Sequence, residues 1–156
     1  MKPLTSLLVT AVLALTLTAC SPAQTKAPFQ SSLPLQLLET EAFSEPLEPL
    51  ESDLVWALYG LEDAGLARES LTDAQSFRST GATCEELALL TFADGSSAQT
   101  AANALDLYIT NQIQINKDYR PAELAKLEKA FLERRGTAVL LMVANNYNAT
   151  YELLAP

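Results

Sequence analysis

The run from Thr137 to Ala144 (TAVLLMVA) narrows the possible folds more than any other part of this chain. Eight strongly apolar residues are far too few to cross a bilayer, which takes about 20. They have the length and β-branched content of a strand. Asn145 and Asn146 break the run. A second short run, Glu86 to Ala93 (ELALLTFA), is open to two readings. Thr83 and Glu86 have the spacing of a helix capping box. The length of the run, ended by Asp94-Gly95, favours a buried strand. Leu71 to Ser79 partly alternates around Phe77 and reads as a third strand. Ser79-Thr80-Gly81-Ala82-Thr83 then forms a turn.

Helical signals lie between these runs. Leu35, Leu38 and Phe43 would form one side of a short helix that Pro46 and Pro49 prevent from continuing. Ser52 is placed to cap a helix from Asp53 to Tyr59, with Leu54, Val55, Leu58 and Tyr59 inward and Gly60 as its stop. Ser96 or Ser97 is expected to cap a long helix to about Asp118. Its inner face would hold Ala101, Ala104, Leu105, Tyr108, Ile109, Gln112, Ile113 and Ile115. Pro121 suits the first position of a further helix, which the residues alone would carry to Arg135 before Gly136. Tyr147 to Leu154 reads as a short helix or strand. The elements mix without a βαβ repeat. The fold class expected is therefore α+β, a small, mainly antiparallel sheet packed against one long and several short helices on one face.

The N-terminus has a different character. Lys2 precedes an 11-residue apolar run, Leu7 to Leu17, which suits the core of an export signal. Leu17-Thr18-Ala19-Cys20 resembles the lipobox of bacterial lipoproteins. That resemblance implies cleavage before Cys20, a diacylglycerol on its thiol, and a multi-chain anchor stable in a membrane. Ser21 to Ser32 is polar and Pro-containing and reads as a tether, with a root-mean-square reach of about 20 Å. Residues 1–19 are thus expected to be a signal peptide, 20–32 a lipidated N-terminus and tether, and 33–156 a single domain.

Charge and residue usage exclude several functions. From Cys20 on there are nine basic and nineteen acidic residues, a net charge of −10. Such a polyanion is a poor partner for nucleic acid or anionic headgroups. The chain has no histidine, which removes Ser-His-Asp and Cys-His catalysis and His-ligated zinc. With Cys20 acylated, Cys84 has no intramolecular partner. Beside Glu85 and Glu86 it reads as a small buried side chain.

Several landmarks coincide in one family. Ser79-Thr80-Gly81-Ala82-Thr83-Cys84-Glu85-Glu86-Leu87-Ala88 is similar to an S-S-G-A-T-A-E-E-I-A block. Leu58-Tyr59-Gly60 resembles a recurring L-Y-G. Tyr119, Pro121, Glu123, Lys126 and Leu127 resemble a Y-x-P-x-E-x-x-K-L spacing, and Gly136 before an apolar strand also fits. Over about residues 35 to 145 the chain resembles small lipoproteins carrying the domain of unknown function 4358. The resemblance implies a strand over Leu87 to Ala93 and a helix after Pro121 that stops near Glu128. It also implies a strand from Ala130 to Arg134, turning through Arg135-Gly136 into the next, so four strands in all. It carries no activity with it.

Ser79, Thr80, Gly81, Thr83, Glu85 and Glu86 are the candidate binding residues. A hydroxyl-rich turn can offer backbone N–H groups to an anion, and the two glutamates can act as acid, base or cation ligand. The plainer alternative is a tight strand connection, with Gly81 at positive φ and Thr83 bonded to backbone. Asp53, Glu62, Asp63, Asp73 and Asp94 are scattered and form no calcium loop. Tyr108, Gln112, Asn116 and Tyr119 outline a polar stripe on the long helix. Lys117, Lys126 and Lys129 lie in polar stretches that read as exposed, which leaves no lysine to activate a serine.

No catalytic residue, metal site or cofactor is expected. The expected function is a lipid-anchored, extracytoplasmic binding or interaction module of the bacterial cell envelope. Its partners would be the membrane, through the lipid, and an envelope protein or small ligand, with no nucleic acid. The alternatives are an envelope-acting enzyme or accessory subunit using Glu85 or Glu86, and a cation-binding protein.

Overall fold

A computed structural model describes residues 26–155. The lipobox and its cysteine lie outside the described residues. Five strands form one fully antiparallel sheet: β1 (Glu48–Pro49), β2 (Leu71–Arg78), β3 (Glu86–Phe92), β4 (Phe131–Arg135) and β5 (Ala138–Val143). Their spatial order is β1-β2-β3-β5-β4. Among the described residues the α-helices are α1 (Leu33–Leu38), α2 (Ser52–Leu58), the long α3 (Gly95–Tyr119), α4 (Leu124–Leu127) and α5 (Tyr151–Leu154). The α+β class and the antiparallel sheet are as expected, with one strand more. The addition, β1, is two residues long and ends in Pro49, which has no N–H to give a ladder and sits on an edge strand.

All six residues of β5 are buried, as are six of the seven in β3. Alternate side chains of a strand point to opposite faces, so both faces must be covered. Ala88, Leu90, Phe92, Val139, Leu141 and Val143 pack with α2 and α3. Leu87, Leu89, Ala138, Leu140 and Met142 pack with α1, the 39–47 segment and the C-terminal residues. The expectation of helices on one face is corrected here. Apolar side chains at both phases of a strand leave neither face free for solvent.

Other local expectations are corrected as well. The inward face of α1 is Leu33, Pro34 and Leu37, while Leu35 is exposed. In α2 the inward residues are Val55 and Trp56, followed by Tyr59, and Leu54 is exposed. Gly60 does end α2, with φ +62°. Ser52 is the first residue of α2, not a cap, and its hydroxyl accepts a hydrogen bond from Arg68. The cap of α3 is Asp94, whose carboxylate accepts from the Ser97 N–H (2.8 Å) and hydroxyl (3.0 Å). A carboxylate at that position also meets the positive end of the helix. Ile115, placed inward by periodicity, is exposed, whereas Asn116 is buried.

After Pro121 the helix lasts only to Leu127 and the chain turns into β4, as the family resemblance implied. Gly136 opens the two-residue β4–β5 turn at φ +59°, a conformation that glycine adopts without steric cost. Tyr147 to Leu154 is helical, a 3-10 turn leading into α5. Of the expected tether, the part from Lys26 is seated on the domain. Lys26 pairs with Glu133 (2.8 Å), and Phe29 lies under the Arg135 guanidinium (4.3 Å).

Leu140 and Leu141 face opposite layers and neither is exposed. Leu140→Ala and Leu141→Ala should each cost about 2–5 kcal/mol in urea unfolding. Leu35→Ala and Ile115→Ala, both at exposed positions, should stay within about 0.5 kcal/mol of the parent.

Candidate functional site

Glu85 and Glu86 enter β3 side by side and therefore diverge to opposite faces of the sheet. Neither reaches solvent, with exposures of 0% and 1%. Glu85 accepts from the Ser44 N–H (2.8 Å), the Ser44 hydroxyl (2.7 Å) and the Lys126 ammonium (2.9 Å). Lys126 also pairs with Glu123 at 3.1 Å. Its side chain is only 15% exposed, which corrects the expectation of an exposed lysine. Burial works against the ammonium, but the hydrogen bonds to Glu85 and Glu123 outweigh it and raise the Lys126 pKa above the ordinary lysine value.

The Ser79–Thr83 turn does receive an anion, and the chain itself supplies it. The Ser79 hydroxyl donates to the Glu45 carboxylate, and the Thr83 hydroxyl donates to it at 3.1 Å. The Ser79 hydrogen bond is the main reason that the Glu45 pKa lies below the usual glutamate value. Burial opposes it, while Thr83 and the Lys126 charge assist. The expected positive φ at Gly81 is absent. What Gly81 provides is space, since a Cβ there would meet the Glu45 carboxylate oxygens at 2.7 and 2.8 Å. The Thr83 hydroxyl also accepts from the Glu85 N–H (3.3 Å), so Thr83 does bond backbone. Thr80 lies at the exposed tip with Gly81 and Ala82.

From the other side the turn is held by residues following α3. Arg120 donates to the carbonyls of Ala82 (3.2 Å) and Thr83 (3.1 Å), and the Glu123 carboxylate accepts from the Cys84 N–H (2.9 Å). Buried Asn116 accepts from Arg120 (2.9 Å) and donates to the Gln112 carbonyl (2.8 Å). The expected stripe is thus divided: Asn116 is internal, Tyr108 faces the sheet, and Tyr119 is exposed. Cys84 is buried, and burial raises its thiol pKa, as suits an inert side chain.

On the opposite face, Glu86 accepts from the Tyr108 hydroxyl (3.0 Å), and the Arg78 guanidinium stands 3.7 Å away. The Tyr108 ring meets Tyr59 edge-on with centroids 5.0 Å apart, and the Tyr59 hydroxyl shares a hydrogen bond with Ser76 (3.3 Å). Burial outweighs both Arg78 and Tyr108 and lifts the Glu86 pKa to about 7.

The open concave surface beside Lys126 is a cleft of about 400 Å³ between α4 and the residues after β5. Lys126, Lys129, Asn145, Asn146 and Asn148 supply its polar groups. The scattered acids have local roles or none: Asp53 pairs with Arg68 (2.9 Å) and Asp94 caps α3. Among the described residues no three His, Cys, Asp or Glu side chains converge as metal ligands.

The matched family is a domain of unknown function (DUF4358), whose model covers residues 43–144, and the chain belongs to it. That span holds Ser44, Glu45, the turn, all five strands, α3 and Lys126. Searches of curated proteins and of solved structures return no match.

The partners of the turn, namely Ser44, Glu45, Arg120 and Lys126, were not legible from the sequence. They lie 34 to 41 residues from the groups they bind, in segments without a distinctive pattern. Only the Y-x-P-x-E-x-x-K-L resemblance marked Glu123 and Lys126, and it gave them no role.

Two predictions follow from this geometry. Gly81→Ala should displace the Glu45 carboxylate from the Ser79 and Thr83 hydroxyls, at a cost in stability. In a Glu45→Ala background most of that cost should vanish, as a double-mutant cycle in urea would show. For Glu86, the folded pKa of about 7 exceeds the ordinary value of 4.5. The folded state therefore binds the extra proton, and stability falls as pH rises from about 4.5 to about 7. The contribution is about 3 kcal/mol, at about 1.4 kcal/mol per pH unit. Glu86→Gln should flatten the melting temperature across that window.

Proposed function

We propose that this protein is a lipid-anchored, extracytoplasmic binding or interaction module of the cell envelope, and not an enzyme. The observation that carries the non-catalytic reading is the state of Glu85. A general acid or base must reach a substrate proton, and this carboxylate is sealed from solvent with Ser44 and Lys126 already on it. The anchor is supported by Leu17-Thr18-Ala19-Cys20 following an apolar run of signal length. In this reading Ser79, Thr83, Glu85 and Glu86 shape the surface and do not contact a ligand. Contact falls to the exposed tip around Thr80 and Gly81 and to the cleft beside Lys126. The amides of Asn145, Asn146 and Asn148 and the Lys129 ammonium there suit a polar small ligand or a polar patch of an envelope protein.

A second reading has one observation in its favour. Glu86 titrates near neutrality, as many catalytic carboxyls do. Its burial beneath Tyr108 supports a structural role instead.

Fractionation of cells producing the full chain tests the anchor. The parent should sediment with membranes and Cys20→Ser should be soluble. Membrane retention of Cys20→Ser would overturn the reading.

A further inference from the structure

Lys26, the first described residue, is fixed to the outer strand of the sheet through Glu133 of β4 (2.8 Å). Cys20 is only six residues away in sequence. Six residues span at most about 20 Å even when fully extended. An acyl anchor on Cys20 therefore holds whatever surrounds Lys26 close to the lipid.

That surface carries exposed apolar side chains beside charged ones. Arg135 gathers it, with its guanidinium over the Phe29 ring (4.3 Å) and a hydrogen bond to the Leu154 carbonyl (2.8 Å). The entering chain, the β4 edge and α5 are thus tied together. α5 presents Tyr151, 77% exposed, and Leu153, 36% exposed. Two shallow hollows flank them. One of about 270 Å³ is lined by Phe131, Tyr147, Tyr151 and Leu154. The other, about 210 Å³, runs between Phe29 and Leu153.

We propose that the β4–α5 surface around Phe29 is the membrane-facing side of the protein, with Tyr151 and Leu153 seated in the headgroup region of the leaflet that holds the anchor. This rests on the lipid-anchor reading above. Tyrosine is suited to that position because its ring is apolar and its hydroxyl stays wet. One tyrosine and one leucine would bind lipid weakly in free solution. Tethering within about 20 Å makes their contact effectively intramolecular, so little affinity is needed.

The test uses the full lipidated chain in phosphatidylethanolamine–phosphatidylglycerol vesicles, with one cysteine introduced at a time. Cys20 is acylated and Cys84 is buried, so the new thiol is the one that reacts with an environment-sensitive fluorophore. Tyr151→Cys is compared with Tyr119→Cys, equally exposed at 77% but at the end of α3, which packs on the other face of the sheet. The fluorophore at 151 should be strongly quenched by headgroup-proximal spin-labelled lipid, and the one at 119 should not. Equal quenching at the two sites, with the chain still on the vesicles, would overturn the proposal and leave the anchor standing. A probe at 151 shielded from water yet unquenched by lipid would also overturn it, because a protein would then cover the site. A chain that does not stay on the vesicles would overturn the anchor and the proposal together.

Discussion

A carboxylate with no path to water must be compensated within the protein, and Glu85 is such a group. Leaving one buried charge unpaired costs several kcal/mol, so its partners are drawn from separate parts of the chain. Ser44 comes from the segment before the sheet and Lys126 from the short helix after α3. Bringing them to the start of β3 fixes where the 39–47 segment crosses the sheet and where α4 docks. Lys126 then holds Glu123, and Glu123 holds the Cys84 N–H. Next to Ser44, Glu45 falls where the Ser79 and Thr83 hydroxyls can reach it. The turn is thus enclosed from both sides, and its anion-binding character is used inside the molecule.

Glu86 extends the same logic to the other face. The sheet separates two apolar layers, and adjacent glutamates place one acid in each. Glu85 is balanced by an ammonium in direct contact. Glu86 has a more distant guanidinium and a tyrosine hydroxyl, which do not offset its burial near neutral pH. The two acids, neighbours in sequence, thus meet different partners on the two faces.

The sequence was most informative where a pattern is local. Strand-length apolar runs gave β3 and β5, and Gly60 and Gly136 marked real turns. Double-sided burial is legible in the letters of TAVLLMVA, which are apolar at both phases of the strand. Asp94-Gly95 reads as a turn, and the structure shows Asp94 to be the helix cap that an aspartate before Gly-Ser-Ser can also form. The stretch 129–135 looks helical by composition. It becomes a strand because β5 needs an antiparallel neighbour and Gly136 permits the tight return. The turn residues are adjacent in sequence, but the groups they bond to come from distant segments. At Gly81 the space left by the missing Cβ matters and a positive φ does not, which no local pattern reveals.

The central claim is that Glu85 and Lys126 hold the turn, the crossing segment and α4 together. A double-mutant cycle of Glu85→Gln and Lys126→Met, followed by urea unfolding, tests it most directly. The account predicts that each single change costs about 3–5 kcal/mol and that the double variant loses far less than their sum, since Glu85 then carries no charge for Lys126 to balance. Single changes costing under about 1 kcal/mol, the range of exposed ion pairs, and adding independently would contradict it.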